Sequence, residues 1–293
     1  TVHEFERAAR PGPGGVADKD PFFTGQSDWL VIEGCTGHDV GTGDGHGIYL
    51  SNGSDWNIVR HNETFNTVSS DFQVNADPLS TCADEDIAYD DPECDAGAGS
   101  SPTGGRGASD FILVEGNYFH DSLAQGPNLT SVRNSLVRNN VIALPTRHGI
   151  SFWQETDNPA LGATGNIVVH NLIVTAADGR HAVSFTNSSI GNRFENNVVA
   201  AVTIDGDGVT GNPSGTLLIT DETTNDANSF AHNAWLSGDF ATDDGSPPYE
   251  PGADEVREDA VDPTWFEAFP TTLEHDPGGY RPTASAPWLD LGE

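Results

Sequence analysis

The chain has 293 residues and a formal net charge of −33, with 45 acidic against 12 basic side chains. Its sole lysine is Lys19, so no basic stripe can neutralise phosphates and nucleic-acid binding is excluded as a function class. A hydrophobic content of 35% excludes wholesale disorder, and no apolar run is long enough to span a membrane.

In chain order, Thr1–Phe5 (TVHEF) matches Thr36–Val40 (TGHDV), so the chain is expected to start partway through a repeat, with residues missing upstream. The absence of methionine and of a signal peptide fits a mature or trimmed chain. Short apolar strands then recur: WLVIEGC (29–35), NIVRHN (57–62), ILVEGN (112–117), SLVRNN (135–140), IVVHN (167–171), FENN (194–197) and FAHN (230–233). Their last residues are Cys35, Asn62, Asn117, Asn140, Asn171, Asn197 and Asn233, in steps of 27, 55, 23, 31, 26 and 36. A period in the twenties with insertions suits one coil of a parallel β-helix, whose strands stack about 4.8 Å apart. Asparagine recurring at one turn predicts an internal amide ladder, with Cys35 as a small, buried, unpaired thiol in the same column.

A second column alternates with period two: HGIYLS (46–51), SDFQVN (70–75), HGISFW (148–153), HAVSFT (181–186) and GTLLIT (215–220). Ile48, Phe72, Ile150, Val183 and Leu217 are expected to face inward, followed by Leu50, Val74, Phe152, Phe185 and Ile219. Tyr49, Gln73, Ser151, Ser184 and Leu218 are expected to face outward, and 127–131 fits this column less well. The glycine-rich GTGDGHG (41–47) joins two strands and reads as a turn.

Two stretches interrupt the repeat. Residues 76–109 read as a long loop insertion, closed by a disulfide between Cys82 and Cys94 worth roughly 3 kcal/mol. Such a bond implies an oxidising compartment, hence a secreted, extracellular protein. Residues 239–293 read as an irregular C-terminal cap on a β-helix spanning 1–238, anchored by Trp265, Phe266, Phe269 and Trp288. The acidic surface reads as halophilic or salt-adapted.

With their HGIYLS and RNN turns, residues 29–236 resemble the right-handed parallel β-helix superfamily typified by pectate lyases. The resemblance implies an all-β solenoid. It leaves activity open, because that superfamily includes polysaccharide lyases, glycoside hydrolases, uronate epimerases, phage tailspikes and adhesins.

Stacked coils bring distant residues into columns. Arg147-His148 and Arg180-His181 fall at matching positions, with His46 opening the same strand earlier. A lyase needs a base beside the uronate carboxylate and a cation to neutralise it, roles that lyases of this fold give to Lys or Arg. Arg147, His148, Arg180 and His181 are therefore the catalytic candidates. An acidic column of Asp71, Asp77, Glu155 and Asp157 suits Ca²⁺, or the paired acids of a glycosidase. Tyr49, Gln73, Asn75, Trp153 and Gln154 are the candidate substrate contacts, since exposed aromatics stack on sugar rings. His3-Glu4, His38-Asp39 and His120-Asp121 return at one turn and read as solvent-facing turn chemistry.

The leading expectation is a protein that cleaves a polysaccharide by β-elimination. Its rivals are a non-catalytic surface or assembly β-helix that self-associates end to end, and a glycoside hydrolase.

Overall fold

The computed structural model describes residues 3–4, 20–25, 27–41, 45–76, 108–154, 161–176, 179–205, 208–212, 214–266 and 281–287. They form an all-β solenoid in which successive strands visit three parallel sheets in turn. Sheet 1 runs from Val31–Glu33 through Ile58–Arg60, Leu113–Glu115, Leu136–Arg138, Ile167–Val169 and Arg193–Glu195 to Ser229–Ala231. Sheet 2 stacks His3–Glu4, Cys35–Val40, Glu63–Thr67, Tyr118–His120, Val141–Ala143, Leu172–Thr175, Val198–Asp205, Ala234–Leu236 and Val256–Glu258. Sheet 3 stacks Phe22–Gly25, Ile48–Ser51, Phe72–Asn75, Pro127–Thr130, His148–Trp153, His181–Phe185, Thr216–Thr220 and Asp239–Thr242. Among the described residues no helix is long and apolar enough to cross a membrane.

The core is built by like residues stacking on like. Val59, Val114, Val137, Val168 and Phe194 form one inward column of sheet 1, all fully buried. Phe152 lies flat on Phe185 in sheet 3, with ring centroids 4.7 Å apart. Burying each such side chain contributes roughly 1.5–3 kcal/mol.

The asparagine ladder forms between sheets 1 and 2. From Asn62 to Asn197, each backbone N–H and Nδ2 donates to Oδ1 of the next coil's asparagine at 2.9–3.2 Å. The residue before each ladder position must turn through the left-handed region. Gly34, His61, Gly116, Asn139, His170, Asn196 and His232 all do so, with φ between 54° and 63°. Asn62 bonds Asn117 directly, so the coils flanking the 77–107 segment are immediate neighbours. That segment, with Cys82 and Cys94, lies outside the described residues.

A second ladder runs five residues earlier in each coil. Leu30 N–H donates to Asn57, Ile112 N–H to Ser135, Ser135 N–H to Asn166, Asn166 to Asn192, and Asn192 to Asn228. Each three-residue strand of sheet 1 is therefore pinned at both ends. At the far end Glu255 closes the first ladder, accepting from Asn233 Nδ2 and Trp235 Nε1 at 2.9 Å each and from the Tyr249 hydroxyl. Trp265 and Phe266 pack on the outer apolar cluster beside sheet 2; Phe269 and Trp288 lie outside the described residues.

Three expectations are corrected. His3 pairs with Cys35, three residues from the register that TVHEF and TGHDV suggest. Cys35 holds its ladder position, donating N–H to Asn62 Oδ1 at 3.0 Å, but it is half-buried because few coils cover it. In Thr216–Thr220 the pairing places Leu218 against Val183 in the core and turns Ile219 outward, one residue from the expected phase. Leu217 is also buried, at an irregularity in the pairing with the last strand of sheet 3.

Candidate functional site

Sheet 3 presents an outward column of Tyr49, Gln73, Asn128, Ser151 and Ser184, which ends in the apolar Ile219. Its later coils floor a cleft of about 350 Å³ lined by Gln125, His148, Ser151, Trp153, His181, Ser184, Thr186, Ile219 and Asp243. The volume suits a small-molecule group or a sugar unit.

Two sequence-predicted histidines face each other there. His148 pairs with His181 in the sheet register, and their Nδ1 atoms lie 3.2 Å apart. One ring must donate Nδ1–H and the other accept, since two bare nitrogens would repel. Desolvation pushes both pKa values down to about 4; His181, Arg180 and Arg147 add to the effect at His148, and Arg180 at His181. Both rings are therefore neutral near pH 7.

Close packing fixes this geometry. A Cβ on Gly149 would sit 2.4 Å from the Ala182 carbonyl oxygen and 2.5 Å from Ile173 Cγ2, which accounts for the glycine after His148.

Arg147 and Arg180 are exposed at the start of the same two strands, and the Arg180 N–H donates to the Arg147 carbonyl at 2.7 Å. Other arginines are engaged: Arg60 with Glu33, Arg133 with Asp110, Arg138 with Glu115, Arg193 with Glu195 and Arg257 with Asp239. Arg147 and Arg180 have no carboxylate partner among the described residues, nor has Arg281 far along the chain.

Trp153 is held against the cleft by its neighbours. Its Nε1 donates to Asn128 Oδ1 at 2.7 Å, the same oxygen accepts from Ser151 Oγ at 2.6 Å, and Asn128 Nδ2 donates to Gln73 Oε1 at 2.8 Å. Gln73 is thus buried in a polar chain that braces Trp153 rather than lining the cleft. Asn75 shares an outward column with Thr130 and Trp153, two coils away. Tyr49 lies three coils from Ser151, packed edge-on against Phe23. Gln154 is buried and does not reach the cleft. His46 is also buried and accepts the Ser70 N–H on Nδ1 at 3.2 Å.

The calcium candidates do not converge. Asp71 is wholly buried, accepts from Thr67 Oγ1 at 2.9 Å, and burial raises its pKa well above the usual carboxylate range. A buried carboxyl kept neutral does not suit Ca²⁺. Asp77, Glu155 and Asp157 lie outside the described residues, and among the described residues no three His, Cys, Asp or Glu side chains gather to hold a metal.

The turn histidines are only partly solvent-facing. His38 Nδ1 contacts Asp39 at 2.8 Å, whereas His120 is buried, contacting Asp121 through Nδ1 at 2.9 Å and Glu63 through Nε2 at 3.3 Å. Those carboxylates outweigh burial and raise the His120 pKa.

Gln125, Asn128, Thr186 and Asp243 were not singled out by the sequence. The first two were detectable, because QGPNLT (125–130) aligns with HGISFW (148–153) in the pairing. Asp243 follows the last strand of sheet 3, outside any repeat; partial burial, with Asp221 and Asp244 nearby, raises its pKa. Compared with known proteins, the chain matches no family model, no curated protein and no solved structure.

Proposed function

We propose that the chain is an extracellular, right-handed, pectate-lyase-like β-helix protein that binds an anionic polysaccharide on the outer face of sheet 3 and cleaves it by β-elimination. The observation that carries this reading is the pair Arg147 and Arg180, on adjacent coils of a chain with net charge −33 and without a carboxylate partner among the described residues. Two arginines in step on neighbouring coils, with no carboxylate on them among the described residues, suit a carboxylate supplied by a ligand. Beside them His148 and His181 are neutral, so one offers a basic Nε2 for the proton next to that carboxylate. Arg147 and Arg180 would stabilise the charge that develops as the proton leaves. Trp153 would support a sugar ring.

The test is a panel of charged and neutral polysaccharides, with calcium and with chelator, following unsaturated products and new reducing ends together. Unsaturated products from uronate polymers, abolished in an Arg147→Gln/Arg180→Gln double variant, are expected. Reducing ends without unsaturation would favour a second reading, glycoside hydrolysis, which the carboxylate of Asp243 in the same cleft supports. Silence in both channels from folded protein would favour a binding or assembly role, which the exposed Phe23, Trp29 and Val31 on one coil support.

A further inference from the structure

Two histidines stacked on successive coils, touching through like atoms, do more than supply a base. From the Nδ1–Nδ1 contact at 3.2 Å, inside the cleft and in register, we infer that His148 and His181 work as one unit that relays a proton between coils. The inference rests on the β-elimination reading and specifies how that site handles its proton.

The contact fixes complementary tautomers. The ring that donates Nδ1–H has a bare Nε2, and the ring that accepts at Nδ1 carries Nε2–H. The pair thus presents one base and one acid while both rings are neutral. In the reaction, the bare Nε2 takes the proton next to the uronate carboxylate. The released electron pair forms the new carbon–carbon double bond, and the bond to the departing glycosidic oxygen breaks. The first ring passes its Nδ1 proton to Nδ1 of the second, whose Nε2–H goes to the departing oxygen. One proton is taken up and one delivered, so both rings end neutral with their tautomers exchanged. Uptake of a solvent proton at Nε2 of the second ring, return of the Nδ1 proton to the first, and loss of the first ring's Nε2 proton to solvent restore the starting state.

A lone imidazole would finish as an imidazolium beside Arg147 and Arg180, in a desolvated cleft that disfavours that charge. The relay avoids it. Asp243, the carboxylate on the cleft wall, has no part in the cycle.

Histidine ¹⁵N NMR on the full chain tests the pair without any substrate. The expected spectrum has one of these two rings protonated at Nδ1 and the other at Nε2, assigned with His148→Gln and His181→Gln. Both rings in the Nε2–H form would overturn the inference. In turnover of the polymer found by the panel, each single variant is expected to lose roughly 100-fold or more. The double variant is expected to lose no more than either single, as befits residues acting as a unit. A single variant retaining most of the activity would overturn the relay while leaving β-elimination standing. If the wild type cleaves no polymer, the reading beneath the relay fails, and the relay fails with it even if the NMR tautomers are complementary.

Discussion

The neutral histidine pair makes stability depend on pH in a way that one double variant isolates. Both rings have folded pKa values of about 4, against 6.5 for a free histidine. For a base with a lowered folded pKa, protons bind the unfolded chain preferentially. Its stabilising contribution is therefore complete above 6.5 and is lost as pH falls through about 4. At 1.36 kcal/mol per pKa unit, the gap is worth about 3 kcal/mol per ring, or about 3–5 kcal/mol for the pair once partial solvent screening is allowed. Urea unfolding, followed by tryptophan fluorescence across this range, is the assay. His148→Gln/His181→Gln is expected to lose about 3–5 kcal/mol less than wild type between neutral pH and pH 4. Carboxylates titrate in both proteins, so their effect cancels in the difference. Parallel curves for the two proteins would refute the claim that these rings are held neutral by burial.

Asn140→Ala removes the Oδ1 that receives Asn117 N–H and Nδ2 and the Nδ2 that reaches Val114 O and Asn171, so a loss of about 3–6 kcal/mol is expected by chemical denaturation. A loss below about 1 kcal/mol would mean the ladder is decorative. Asp71 behaves oppositely to the histidines: its raised folded pKa gives stability that is full below 3.8 and falls as pH rises towards the folded value, and Asp71→Asn is expected to flatten that fall in the same denaturation series. Arg147→Gln and Arg180→Gln should each weaken binding of an anionic oligosaccharide by about 10-fold or more, with unfolding midpoints unchanged. Equal binding by calorimetry would remove the guanidiniums from the site.

The ladder was legible because its chemistry permits little substitution. A buried amide that accepts two bonds and donates two more recurs as asparagine through Asn62, Asn117, Asn140, Asn171, Asn197 and Asn233. The parallel ladder five residues earlier was equally present in the pairs Asn57/Asn62, Asn166/Asn171, Asn192/Asn197 and Asn228/Asn233. It is interrupted by Ile112 and Ser135, and a column that changes residue type hides from a repeat search. The phase of Thr216–Thr220 was illegible for another reason: Leu217, Leu218 and Ile219 are consecutive apolar residues, so alternation gives no preferred face. The match of TVHEF to TGHDV compared residue types without a strand to pair, and the backbone chose a different register.

The cleft was half legible for a related reason. His148 and His181 sit at the same point of two similar segments, so their meeting follows from the repeat. Gln125 and Asn128 occupy the same columns one coil earlier, but Pro127 masks the alternation there. Asp243 belongs to the chain leaving the last strand of sheet 3 and obeys no repeat at all.

The charge balance ties the site to the rest of the molecule. With 45 carboxylates for 12 cations, a guanidinium exposed on this surface would be expected to collect an acidic neighbour. Arg60 and Arg138 do so within sheet 1, where register places Glu33 and Glu115 beside them. At the start of the His148 and His181 strands the neighbouring coil supplies a second arginine instead. The repeat then sets like charge near like charge, with no carboxylate on either arginine among the described residues, and an external anion would relieve it. The remaining carboxylates oppose a polyanion at long range, but at physiological salt the screening length is about 8 Å. Their repulsion is damped there far more than a direct guanidinium–carboxylate contact. An acidic surface and the acidic-sugar cleft we propose are therefore compatible, provided the approach is made in salt and the contact is close.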